Sequence, residues 1–164
     1  DDYLGGPGYV KAVGQPNGRI PIEEELSLKF SYIRIEEDVG RLLAGEPVYL
    51  PVYSRKYRTR LQERADRPLI ARQGLLVEGT PALALEALKA KPSTRIYLDA
   101  DSKERETLLM RDWMESKGLP LAQAKILLRY RKEREEPFIA TGRYSADFMV
   151  QRTGSAYLAT KLAD

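Results

Sequence analysis

Histidine and cysteine are both missing from this chain, and the two absences exclude more chemistry than any residue present suggests. Without them there is no Ser-His-Asp triad, no thiolate nucleophile and no Cys/His zinc site. Any catalysis falls to carboxylates, Lys, Arg, Tyr or a hard cation. No apolar run approaches the roughly 18 residues needed to span a bilayer, and no basic, apolar and small-residue regions succeed one another as in a signal peptide. No repeat or low-complexity segment interrupts the chain. These absences predict a protein without membrane insertion and with a cytoplasmic location.

What is there suits one folded domain over residues 1–164: a chain of 164 residues, 43% hydrophobic and 31% charged, buries one core and hardly two. The net charge is only +3, but cations gather in two stretches, Arg55 to Arg72 and Arg129 to Arg134, and clusters make local potential. Anionic ligands are favoured, nucleic acid and nucleotide phosphate among them; a solvated basic face accounts for the same pattern.

Two turn clusters, Gly5-Gly6-Pro7-Gly8 and Gln15-Pro16-Asn17-Gly18, predict an irregular excursion over residues 5–19. A phosphate-binding loop at Gly5 to Gly8 is disfavoured, because no Lys-Ser or Lys-Thr pair follows and Pro7 removes an amide donor. Ile35, Val39, Leu42 and Leu43 recur at helical spacing and predict a helix from Ile33 to Ala44, with Gly45 just past its end. Val48 to Tyr53, punctuated by Pro51, suits an edge or short strand, and the basic segment Ser54 to Arg72 a loop or weak hairpin.

Leu75 to Glu78 is an unbroken apolar run ending in an acid and predicts a core strand covered on both faces. Pro81 then opens a helix from Ala82 to Lys89, which Pro92 ends. Ile96 to Asp99 predicts a second core strand, and Asp101 with Glu104 a capped helix reaching Lys117-Gly118. A further helix is expected from Pro120 to about Glu136, bounded by Pro137, then a short strand at Phe148 to Val150 and a terminal helix from Ser155 to Leu162. Strand-helix alternation implies an α/β fold with a parallel sheet flanked by helices.

The order of several motifs resembles the C-terminal portion of the uridine kinase and phosphoribulokinase-like P-loop kinases. Asp1-Asp2-Tyr3-Leu4 is similar to that family's element at the end of its second strand, which makes Asp1 the catalytic base and places Tyr3 toward substrate. Pro51-Val52-Tyr53 matches the element before the acceptor loop, placing Tyr53 and Arg58 toward the acceptor. Glu78-Gly79 matches the magnesium-associated Glu-Gly, so the resemblance makes Glu78 both catalytic and metal-binding. Arg111-Asp112 and Lys117-Gly118 match the lid, here residues 101–137, with Arg111 and Lys117 as phosphate clamps. Ala146-Asp147 and the strand after it match the last strand of these kinases, with Arg152 in the loop near the nucleotide. The implied activity is ATP-dependent phosphorylation of a hydroxyl on a small metabolite, with ATP and Mg2+ as cofactors. Phosphoryl transfer runs on positioning, a divalent cation and fixed positive charge, which these residue types supply. Bland roles remain beside these: Glu78 could cap the next helix N-terminus, and Arg111 and Lys117 could lie on a solvated face with Asp112 and Glu115.

The chain also departs from the family. Phe30-Ser31 stands where a ribose-binding Asp is expected, Leu108 where the lid carries a second Arg, and Arg58 near a nucleoside-reading histidine. Arg55, Lys56, Arg58 and Arg60 suit an acceptor bearing phosphate or carboxylate better than an uncharged nucleoside. No G-x-x-x-x-G-K-[ST] occurs among these residues. The preferred expectation is a kinase whose first strands and phosphate-binding loop lie upstream; the alternative is a degenerate, non-catalytic nucleotide- or nucleic-acid-binding module. A dedicated nucleic-acid domain is disfavoured, because only Tyr53 and Tyr57 accompany the first arginine cluster and no helix-turn-helix or RNP pattern is present. The oligomeric state is open, a homo-oligomer included.

Overall fold

A computed structural model of the chain describes residues 20–54, 59–80, 82–90 and 93–162. The chain divides into two compact units, Asp1–Lys91 and Pro92–Asp164. The fold is mixed α/β, but its sheets are small and not purely parallel.

In the first unit, α1 (Ile22–Phe30) carries Glu23, Glu24 and Glu25 in its first turn and Lys29 in its last, the arrangement the helix dipole favours. Ser31 ends it in the left-handed region, φ 52 and ψ 55, and α2 (Tyr32–Leu43) starts at once. Ile35, Asp38, Val39 and Leu42 form the buried stripe of α2, so the predicted helix stands, and Gly45 at φ 80 is its left-handed exit. Strand β1 (Pro51–Ser54) pairs antiparallel with β2 (Thr59–Arg64), with an irregularity between Pro51 and Tyr53. The basic segment is therefore a hairpin.

Leu75 to Glu78 departs from expectation: it is in no strand among the described residues. Leu75 and Val77 pack against a core of Ile35, Val39 and Leu85, while Leu76 is 89% exposed. This extended segment buries one side against the core, and no strand among the described residues pairs with its backbone. The helix expected at Ala82 to Lys89 is also broken. A 3-10 turn (Ala82–Ala84) precedes extended Leu85, fully buried, and α3 (Glu86–Lys89) begins only after it. The Glu36 carboxylate accepts the Glu86 backbone N–H at 2.8 Å, restarting the helix where burial of Leu85 has interrupted it.

The second unit opens with β3 (Ile96–Ala100), followed by α4 (Ser102–Arg111). Asp101 Oδ1 accepts the Glu104 N–H at 3.0 Å, the cap expected there. A π-helical turn (Asp112–Ser116) ends this run, and Gly118 takes φ 63. Helix α5 (Leu121–Tyr130) continues through a second π turn (Arg131–Glu135) into α6 (Glu136–Thr141). Pro137 therefore does not bound the helix. Proline has no N–H to give to a carbonyl one turn back, and the π turn beside it re-spaces the ladder.

Strand β4 (Phe148–Thr153) returns parallel to β3, in register from Ile96 opposite Phe148 to Ala100 opposite Arg152. The terminal segment is a strand, not a helix: β5 (Ala156–Lys161) pairs antiparallel with β4 across a turn at Gly154, φ 59. Every residue of β5 is exposed, so the backbone ladder and the two-residue turn override the helix preference of its Ala and Leu. The sheet is thus three-stranded and mixed. Nor is β3 covered on both faces, since Leu98 is 74% and Ile96 45% exposed. No helix among the described residues is long and apolar enough to cross a membrane.

Candidate functional site

Because β3 and β4 are parallel and in register, their carboxyl ends lie side by side, the position where open α/β sheets present ligand-binding groups. Ala100 is opposite Arg152 there, and Asp99 opposite Gln151. The first turn of α4 leaves this end carrying Glu104 and Arg105. Arg105 reaches Asp99 Oδ1 at 3.8 Å and Glu136 Oε2 at 3.1 Å, tying the strand end to α6. Arg152 Nε contacts Glu104 Oε1 at 3.3 Å and donates to the Gly154 carbonyl at 3.0 Å. Lys132 Nζ contacts Glu106 Oε1 at 2.6 Å, joining the second π turn to α4.

The electrostatics follow from these pairs. Burial raises the Tyr97 hydroxyl above its ordinary value and the Asp99 carboxylate adds to that, while Arg105 and Arg143 oppose it. The hydrogen bond to Glu106 raises the Lys132 ammonium, holding it charged. Arg105 Nε is buried without a hydrogen-bond partner among the described residues. Carboxylates thus already hold Arg105, Arg152 and Lys132.

The predicted site residues fall in different places. Asp1, Tyr3 and Arg58 lie outside the described residues. Tyr53 is on β1, opposite Arg60 of β2. Glu78 is exposed at the end of the extended segment, before Gly79 at φ 127. Arg111 is exposed as the last residue of α4. Lys117 follows the first π turn and pairs with Asp112 at 3.0 Å, and that hydrogen bond holds the Asp112 carboxyl below the usual range. Arg152 is at the carboxyl end of β4. Glu78 belongs to the first unit, whereas Arg111, Lys117 and Arg152 belong to the second.

Among the described residues no group of three or more His, Cys, Asp or Glu could hold a metal ion. Arg105 and Glu136 have no part in the motif reading. A signal for Arg105 existed: a cation in the first turn of a helix opposes the dipole, so its placement calls for carboxylates such as Asp99 and Glu136. No protein-family model matches the chain, and no curated protein matches it either.

Proposed function

We propose that the protein is a magnesium- and ATP-dependent phosphotransferase acting on a hydroxyl of a small metabolite. The observation that carries this reading is the parallel, in-register β3–β4 pair joined by the helical segment α4 to α6, with charged side chains gathered at the carboxyl ends of the strands. That unit accords with the kinase-like order of motifs in the sequence, in which residues 101–137 are a lid between two neighbouring strands. Asp1 takes the acceptor proton, Glu78 holds magnesium, Arg111 and Lys117 close on phosphate, and Arg152 lies toward the nucleotide. Tyr3, Tyr53 and Arg58 contact the acceptor. Magnesium, when bound, offsets charge on the transferring phosphoryl group.

A non-catalytic nucleotide-binding module is the second reading. It is favoured by the pairing of Lys117 with Asp112 and of Arg152 with Glu104, and by the lack of a phosphate-loop motif in these residues. Substitution separates the two readings. Glu78→Gln is expected to lower turnover about ten- to a hundred-fold, and an unchanged rate removes Glu78 from the magnesium site.

A further inference from the structure

Strand β5 is one edge of the three-stranded sheet, whose order is β3-β4-β5. Gly154 and Ser155 turn the chain between Thr153 and Ala156, which face each other, and the Leu162 N–H donates to the Asp147 carbonyl at 2.9 Å. Hydrogen-bonded and non-bonded pairs alternate along an antiparallel ladder. Ala156, Leu158 and Thr160 therefore direct their N–H and C=O groups to β4, while Tyr157, Ala159 and Lys161 direct theirs away from the sheet. No strand among the described residues takes up that outer row. The usual protections of an edge are nearly absent: the β4–β5 register is continuous, β5 has no proline, and its one charge, Lys161, stands at its end. Tyr157 is 71% and Leu158 64% exposed.

We propose that β5 pairs antiparallel with β5 of a second copy of this chain, across a two-fold axis at Ala159, joining the two sheets into one. The residues of β5 favour a second copy over a foreign strand, because they complement themselves in the register that uses the whole outer row. With Ala159 opposite the partner's Ala159, Tyr157 lies opposite the partner's Lys161 and Leu158 opposite the partner's Thr160. Every outward N–H and C=O of Tyr157, Ala159 and Lys161 then meets its complement. A small side chain sits on the axis, where two identical residues must face each other. The lysines fall at opposite ends, each beside a tyrosine ring instead of a like charge. A shift of the register by two residues sets Lys161 against the turn or Tyr157 against residues past the strand. The row Leu98, Val150 and Ala159 continues into the same row of the partner, extending a face on which Leu98 is 74% exposed. Six residues a side make a small interface, so the dimer depends on concentration. The pairing does not rest on the phosphotransferase reading.

The test is analytical ultracentrifugation of the full chain over a concentration series reaching about 100 μM. The mass is expected to reach that of two chains and to fall on dilution. Ala159→Lys sets like charges against each other on the axis, and Ala159→Pro removes an outward N–H that the ladder to β4 does not use. Both variants are expected to keep the mass of one chain throughout the series, with unchanged circular dichroism spectra. An unaltered protein that stays a single chain at every concentration overturns the proposal and leaves the edge to a strand of another protein or to a segment of chain folded back on it. So does a dimer that persists in the lysine variant, and so does assembly that grows without limit, since a two-fold pairing closes on itself. Should both variants lose their fold, amide exchange on the unaltered chain reads the same contact. The N–H groups of Tyr157, Ala159 and Lys161 are expected to exchange more slowly in concentrated than in dilute protein, and equal rates overturn the pairing.

Discussion

Asp147 holds Arg95 through both backbone and side chain at the point where the parallel pair begins. Its carboxylate accepts the Arg95 backbone N–H at 2.7 Å and Nη2 at 2.8 Å, while the Arg95 carbonyl accepts the Asp147 N–H at 2.8 Å. A parallel ladder has no hairpin to fix its register, and this clamp supplies a reference point one residue before Ile96 meets Phe148.

The clamp makes stability depend on acid. The Arg95 hydrogen bonds hold the Asp147 carboxyl below its ordinary value of 3.8. A carboxyl depressed in the folded state contributes stability above its unfolded value, and that contribution is lost as pH falls through the folded value. Asp147→Asn should therefore lower the thermal midpoint at neutral pH, and the difference from wild type should shrink below pH 3.8. A difference constant from neutral pH into that acid range would contradict the linkage.

Ser31 adopts a left-handed backbone conformation, φ 52 and ψ 55, that glycine takes at little cost. Ser31→Gly should stabilise the protein by up to about 1 kcal/mol. Denaturant unfolding reads this directly, and a lowered midpoint would mean that the serine hydroxyl contributes more than the strain costs.

Leu76 and Leu85 separate two descriptions of the first unit. Leu85 is fully buried, and Leu85→Ala should cost about 2–5 kcal/mol. Leu76 is exposed, and Leu76→Ala should change stability by no more than about 0.5 kcal/mol. A loss at Leu76 comparable with that at Leu85 would restore the doubly covered strand that the apolar run suggests.

Helices whose signals are local are readable in the sequence. The stripe Ile35, Val39 and Leu42 and the Asp101 cap are examples, because periodicity and capping are settled within a turn or two. What fails depends on distant partners. Leu75-Leu76-Val77 looks like a central strand in composition, yet a strand needs a neighbour, and here the packing partners are Ile35, Val39 and Leu85. Ala156 to Lys161 reads as a helix by propensity, but pairing with Phe148–Thr153 makes it a strand. The site shows the same division. Arg152 and Lys117 stand out as motif cations, whereas their carboxylate partners Glu104 and Asp112, and the Arg105–Glu136 link, emerge only once helices and strand ends are set side by side.

The central claim is phosphoryl transfer, and one measurement tests it most directly. The purified protein, with its intact mass recorded, is incubated with magnesium and ATP against nucleosides, sugar phosphates and hydroxy acids, and products are read by mass spectrometry. The account predicts a magnesium-dependent monophosphorylated product from at least one anionic acceptor. No product from any acceptor, together with no detectable ATP binding, would contradict it and leave a binding module in its place.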